Sequence, residues 1–64
     1  MMLLRYVGKE DATGPDKDYI YVCAVYTDDN EELIWVKWVD YRPGKNLRRC
    51  YENLADLHNE WKDV

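Results

Sequence analysis

The sequence predicts an all-β domain that ends in one helix. Three observations carry that expectation. Leu33–Val39 holds two tryptophans and three β-branched residues, with no glycine or proline, a composition suited to a pleated, half-buried strand. Tyr19–Thr27 is a second such run, separated from the first by the polar stretch Asp28-Asp29-Asn30-Glu31-Glu32, as in a hairpin. Near the end, Leu54, Leu57 and Trp61 recur at i, i+3 and i+7, the spacing of one helical stripe.

The elements follow in order. Residues 3–7 read as a first short strand. Gly8–Asp18 is a long loop punctuated by two glycines and a proline; connections of that length often carry function. Residues 19–27 form the second strand, with Ile20, Val22, Ala24 and Tyr26 on one face and Tyr21, Cys23 and Val25 on the other. Both faces are apolar, so the pattern alone leaves open which one points inward. In the third strand, residues 33–39, alternation puts Ile34, Val36 and Trp38 on a purely apolar face, expected to be the core side. Leu33, Trp35, Lys37 and Val39 share the other face, expected to be partly open to water. Pro43-Gly44 suits the centre of a type II turn. Residues 47–51 return as a fourth strand, with Arg48 and Cys50 on one side and Leu47, Arg49 and Tyr51 on the other. The helix is expected over 54–62, capped by Asn53 with Asp56 in its first turn.

At 64 residues the chain is expected to be one small domain, 1–64. A domain near that size buries only about 60% of the surface its unfolded chain exposes. Three Trp and six Tyr offset this, since each ring buries a large area. No signal peptide is expected, because Met1–Leu4 runs straight into Arg5, and no apolar run has the length of a membrane span. The expected location is the cytoplasm, with Cys23 and Cys50 reduced and, if both lie on core strands, acting as small buried hydrophobes.

The chain has no serine, which excludes a serine nucleophile. Cys50 beside Arg48 and Arg49 has the surroundings that lower a thiol pKa, and His58 is the single histidine available as its base. Such a pair needs several more parts, so no enzyme is expected. Two cysteines 27 residues apart with one histidine lack the ligand count and spacing of a zinc site. Asp28–Glu32 has calcium-type oxygens at alternate positions but lacks the glycine at position six, and Val39 stands where a calcium loop needs Glu. No metal or cofactor is expected.

The net charge of −4 is unevenly spread. Residues 1–32 carry three bases against eight acids, residues 33–51 five against one, and residues 52–64 one against four. An acidic chain is a poor non-specific nucleic-acid binder, since phosphate attraction dominates that affinity. The basic middle stands apart. Lys37, Arg42, Lys45, Arg48 and Arg49 lie on two strands and their turn, with Trp35 and Tyr41 among them. Cations beside aromatic faces suit an acidic protein surface or an anionic ligand with a stackable ring, such as a nucleotide. Trp35, Lys37, Tyr41, Arg42, Arg48 and Arg49 are therefore the expected binding residues. The competing account is a solvated sheet face whose arginines pair with the acidic thirds of the same chain. Apolar side chains on both faces of two strands also raise the expectation of a homodimer through Trp35 and its face.

Two resemblances bear on fold and function. Arg5-Tyr6-Val7-Gly8-Lys9-Glu10-Asp11-Ala12-Thr13-Gly14, followed by Tyr19-Ile20-Tyr21-Val22, resembles a group of small SH3-like proteins of Gram-positive bacteria and their phages. The resemblance covers about the first third of the chain. It implies a small SH3-like β-barrel and a phage setting, in which such a protein blocks or sequesters a host factor as a counter-defence inhibitor. Ile34-Trp35-Val36-Lys37-Trp38-Val39-Asp40-Tyr41 is similar to the strand of chromodomains that carries a methyl-lysine cage. That likeness implies a peptide or methyl-lysine reader, with Trp38, Tyr41 and either Tyr21 or Tyr19 as the walls.

Overall fold

A computed structural model describes the whole chain, Met1–Val64. Five strands and one helix follow in the order β1 (Met2–Tyr6), β2 (Ile20–Thr27), β3 (Ile34–Trp38), β4 (Arg48–Tyr51), α1 (Leu54–Glu60) and β5 (Trp61–Asp63). The strands form one antiparallel sheet in the order β4-β3-β2-β1-β5. The first four strands lie within one residue of their expected bounds at each end.

The sheet is not a closed barrel. β4 and β5 are its two edges, and they do not pair with each other. The helix joins them and side chains bridge the gap. Trp61 Nε1 donates to the Tyr51 hydroxyl at 2.8 Å, that hydroxyl donates to Glu60 Oε1 at 2.6 Å, and Arg49 Nη1 reaches the same oxygen at 3.2 Å.

The helix stops two residues short of its expected end, and its apolar stripe breaks up. Trp61 is extended at φ −129° and ψ 129°, and its N–H donates back to the Leu57 carbonyl as a cap. It then pairs with Tyr6 in the ladder between β1 and β5. Tertiary pairing overrides local helical spacing here. Leu57 and Trp61 are buried, while Leu54 is 56% exposed. The expected N-cap is present, with Asn53 Oδ1 accepting from the Asp56 N–H at 2.9 Å.

The core is assembled from rings. Trp61 is fully buried against Tyr6, Tyr21 and Trp38, with ring centroids 5.1, 6.1 and 5.3 Å away. Such pairs add about 0.5–1.5 kcal/mol each beyond area burial. Val36 and Trp38 point inward as the alternation predicts. In β2 the inward face is Tyr21 and Cys23, which leaves Ile20, Val22 and Tyr26 outward. Cys23 is buried, as expected of a small hydrophobe, but Cys50 is exposed on the outer face of edge strand β4.

The long early loop is fastened down. Asp11 Oδ1 accepts the N–H groups of Thr13 and Gly14 at 2.9 and 2.7 Å. The Thr13 carbonyl accepts from the Asn46 N–H, and Asp16 N–H donates to the Tyr21 hydroxyl. Gly14 sits in tight quarters, since a Cβ there would lie 3.0 Å from Arg49 Nη2 and 3.1 Å from the Asp11 carboxylate. Gly44 takes φ +78° in the turn after β3, as a type II turn demands. No helix is long and apolar enough to cross a membrane.

Candidate functional site

Five of the six expected binding residues separate into two groups, and Tyr41 lies outside both. Arg42 and Arg49 are drawn into ion pairs that fasten the loops. Arg42 donates to Asp16 and to Asp40, at 2.7 Å each. Its hydrogen bonds hold the Asp40 carboxyl at about 2, well below the usual carboxylate range. Arg49 lies 3.2 Å from Glu60 and 3.6 Å from Asp11, and it donates to the Tyr6 hydroxyl at 2.9 Å. The Asp11 carboxyl is lowered too, by the Thr13 backbone N–H first, then by the Thr13 hydroxyl and the Gly14 N–H. Lys45 joins this group through the Gly14 carbonyl and Asp16. For these three cations the pairing with the acidic parts of the chain is what the structure contains.

Trp35, Lys37 and Arg48 form the second group, together on the outer face. The ladder sets Lys37 directly opposite Arg48, Trp35 opposite Cys50, and Tyr26 opposite Trp35. The Arg48 guanidinium lies 4.5 Å from the centre of the Trp35 ring. Neither Lys37 nor Arg48 takes part in any of the ion pairs. Like charges directly opposite in a sheet destabilise it, and stacking on Trp35 offsets part of that for Arg48. These side chains border an open dish of about 580 Å³, completed by Tyr26, Lys45, Asn46 and Leu47. Tyr41 stands apart in the loop after β3, 95% exposed.

Tyr26, Lys45, Asn46 and Leu47 lie outside the expected set. Lys45 is visible in the sequence as part of the basic segment. Tyr26 enters only through the register between β2 and β3, which composition does not specify.

The aromatic residues of the chromodomain-like pattern lie in different environments. Trp38 is 2% exposed and packed on Trp61, and Tyr21 is buried. Tyr19 and Tyr41 are open to solvent. Cys50 and His58 are not brought to one site. Cys50 faces outward on β4 opposite Trp35, whereas His58 borders a groove with the inward residues Leu4, Leu57 and Trp61. The other thiol, Cys23, is pushed up to about 11 by burial, which suppresses its thiolate. In the β2–β3 turn the Asp28 carboxylate is occupied by the backbone, accepting from Glu32 N–H at 2.7 Å and Leu33 N–H at 3.3 Å.

No protein-family model, no curated protein and no solved structure matches the chain.

Proposed function

We propose that the chain is a small non-enzymatic binding protein on an SH3-like sheet, and that the outer face around Trp35, Lys37 and Arg48 receives an acidic partner. In the phage setting that the sequence resemblance implies, the partner is a host factor that the protein blocks or sequesters. One observation carries this reading. Lys37 and Arg48 stand opposite each other with no acid to neutralise them, although the chain has more acids than bases. The other cations of the basic segment take internal acids. Two that do not, opposite each other on neighbouring strands with the Arg48 guanidinium over the Trp35 ring, suit an external anion.

The test is capture from a bacterial lysate with the immobilised wild-type chain and with a variant carrying Lys37→Glu and Arg48→Glu, at low and high salt. Bound proteins and nucleotides are identified by mass spectrometry. The proposal expects a partner that the wild type retains at low salt and that both high salt and the double reversal release. A partner retained equally by both chains at both salts would place the binding site elsewhere, with the Gly8–Asp18 loop as the next region to test.

A further inference from the structure

We infer that the occupant of the outer face is a segment of another protein presenting carboxylates beside aliphatic side chains, and that it spans the sheet from Lys37–Arg48 to a second cation pair, Arg5–Lys62. The inference rests on the proposal above and specifies the chemistry of the partner.

The outward positions of the five strands carry four cations, Arg5, Lys37, Arg48 and Lys62, and no acid. Arg5 stands directly opposite Lys62 in the β1–β5 ladder, as Lys37 does opposite Arg48. None of the four joins an ion pair. Two unneutralised pairs on one acid-free face form a field of one sign, which attracts and orients an acidic partner.

Between the pairs the face is apolar. Leu3, Ile20 and Val22 are 52, 46 and 41% exposed, and Leu3 is registered against Val22. Beside Lys37 lies a hollow of about 280 Å³ lined in part by Met1, Val22, Ala24 and Val39. Strand spacing and rise put Arg5 and Lys37 on the order of 16 Å apart across the face. Apolar surface bordered by charge is the usual anatomy of a protein interface.

The same features disfavour the other occupants. A nucleic acid has no aliphatic groups to fill the hollow and binds best to stacking platforms in a basic groove. Here the outward rings are Tyr26 and Trp35, the latter already faced by Arg48. A second copy docked face to face about a two-fold axis sets a surface against itself, so the four cations would meet the same four.

The experiment is an amide-resolved NMR titration of the full chain with three probes: a short peptide of glutamate interspersed with leucine, oligoglutamate, and oligothymidylate. The Glu/Leu peptide is expected to bind tightest and to shift amides from β4 across to β5, around Arg48, Lys37, Val22, Leu3 and Lys62. Reversing Arg5 and Lys62 to Glu is expected to weaken it about tenfold or more, and the milder Arg5→Gln with Lys62→Gln to weaken it in the same direction. Equal binding of oligoglutamate would overturn the apolar half of the inference, and tighter binding of oligothymidylate would overturn the choice of a protein. Shifts on this face that grow with protein concentration alone would assign it to a second copy. If the Lys37/Arg48 reversal abolishes binding while the Arg5/Lys62 variants bind normally, this inference fails and the proposed function stands. If neither pair matters, both fail.

Discussion

The indole N–H of Trp61 donates to the hydroxyl of Tyr51 at 2.8 Å, across the gap where the two edge strands have no backbone contact. Trp38, whose ring centre lies 5.3 Å from that of Trp61, is the contrasting case, since its buried indole N–H has no partner. The two tryptophans should therefore respond differently to the same change. Trp61→Phe loses ring volume and a buried hydrogen bond worth about 1 kcal/mol net. Trp38→Phe loses similar volume but removes an unsatisfied donor whose burial costs about 1–3 kcal/mol. Denaturant midpoints should fall further for Trp61→Phe, and the reverse order would mean that the bridge does not help close the sheet. Trp61→Ala should cost about 3–5 kcal/mol, and truncation after Tyr51 should abolish native NMR dispersion.

Val36 is fully buried in the middle of the interior strand β3. Val36→Asp places an unpaired carboxylate among rings in a domain whose total stability is only about 5–15 kcal/mol. Circular dichroism should show an unfolded chain at room temperature. An unchanged melting curve would mean that the faces of β3 are reversed.

Acid should loosen the loops before the core. The Asp40 carboxyl is lowered to about 2 by its bonds from Arg42, and Asp11 is lowered by Thr13 and Gly14. A carboxylate with a depressed folded-state pKa stabilises the fold above its unfolded value, near 4, and loses that contribution as pH falls through the folded value. The melting temperatures of wild type and Asp40→Asn should differ by a constant amount above about pH 5 and converge toward pH 2. A gap that does not narrow in acid would show that the Arg42–Asp40 pair is not stabilising.

The two thiols should react in sequence. Cys50 is exposed, whereas Cys23 is buried and its pKa raised to about 11. A thiol reagent should label one cysteine in the native protein at neutral pH and the second only with global unfolding. Rapid labelling of both would indicate that β2 opens locally.

The central sheet was legible because its cues are local. Alternation in Ile34–Trp38 separates a core face from a face bearing Trp35 and Lys37, and the ladder agrees. In β2 both faces are apolar, so only the packing of Tyr21 and Cys23 against Trp38 and Trp61 decides between them. Trp61 carries a helical spacing but ends in a strand, because its pairing with Tyr6 depends on residues more than fifty positions apart. The same limit applies to the site. Lys37 and Arg48 stand out as cations on facing strands, but the sequence does not reveal that Arg42 is held by Asp16, 26 residues earlier, or Arg49 by Glu60. Arg5 and Lys62 share a face only through the β1–β5 register, which no local pattern encodes.

Under the proposed function, Lys37 faces Arg48 at a cost to stability because the pair serves an acidic partner. The most direct measurement is the thermal midpoint of Lys37→Glu at low salt. This change turns a like-charged cross-strand pair into an opposite-charged one, a difference on the order of 0.5–1 kcal/mol. In a domain of this size that should raise the midpoint by roughly 2–8 °C, and the gain should shrink in high salt. A midpoint that stays level or falls would show that the two cations do not oppose each other, and the claim that this face is held ready for an acidic partner would lose its physical basis.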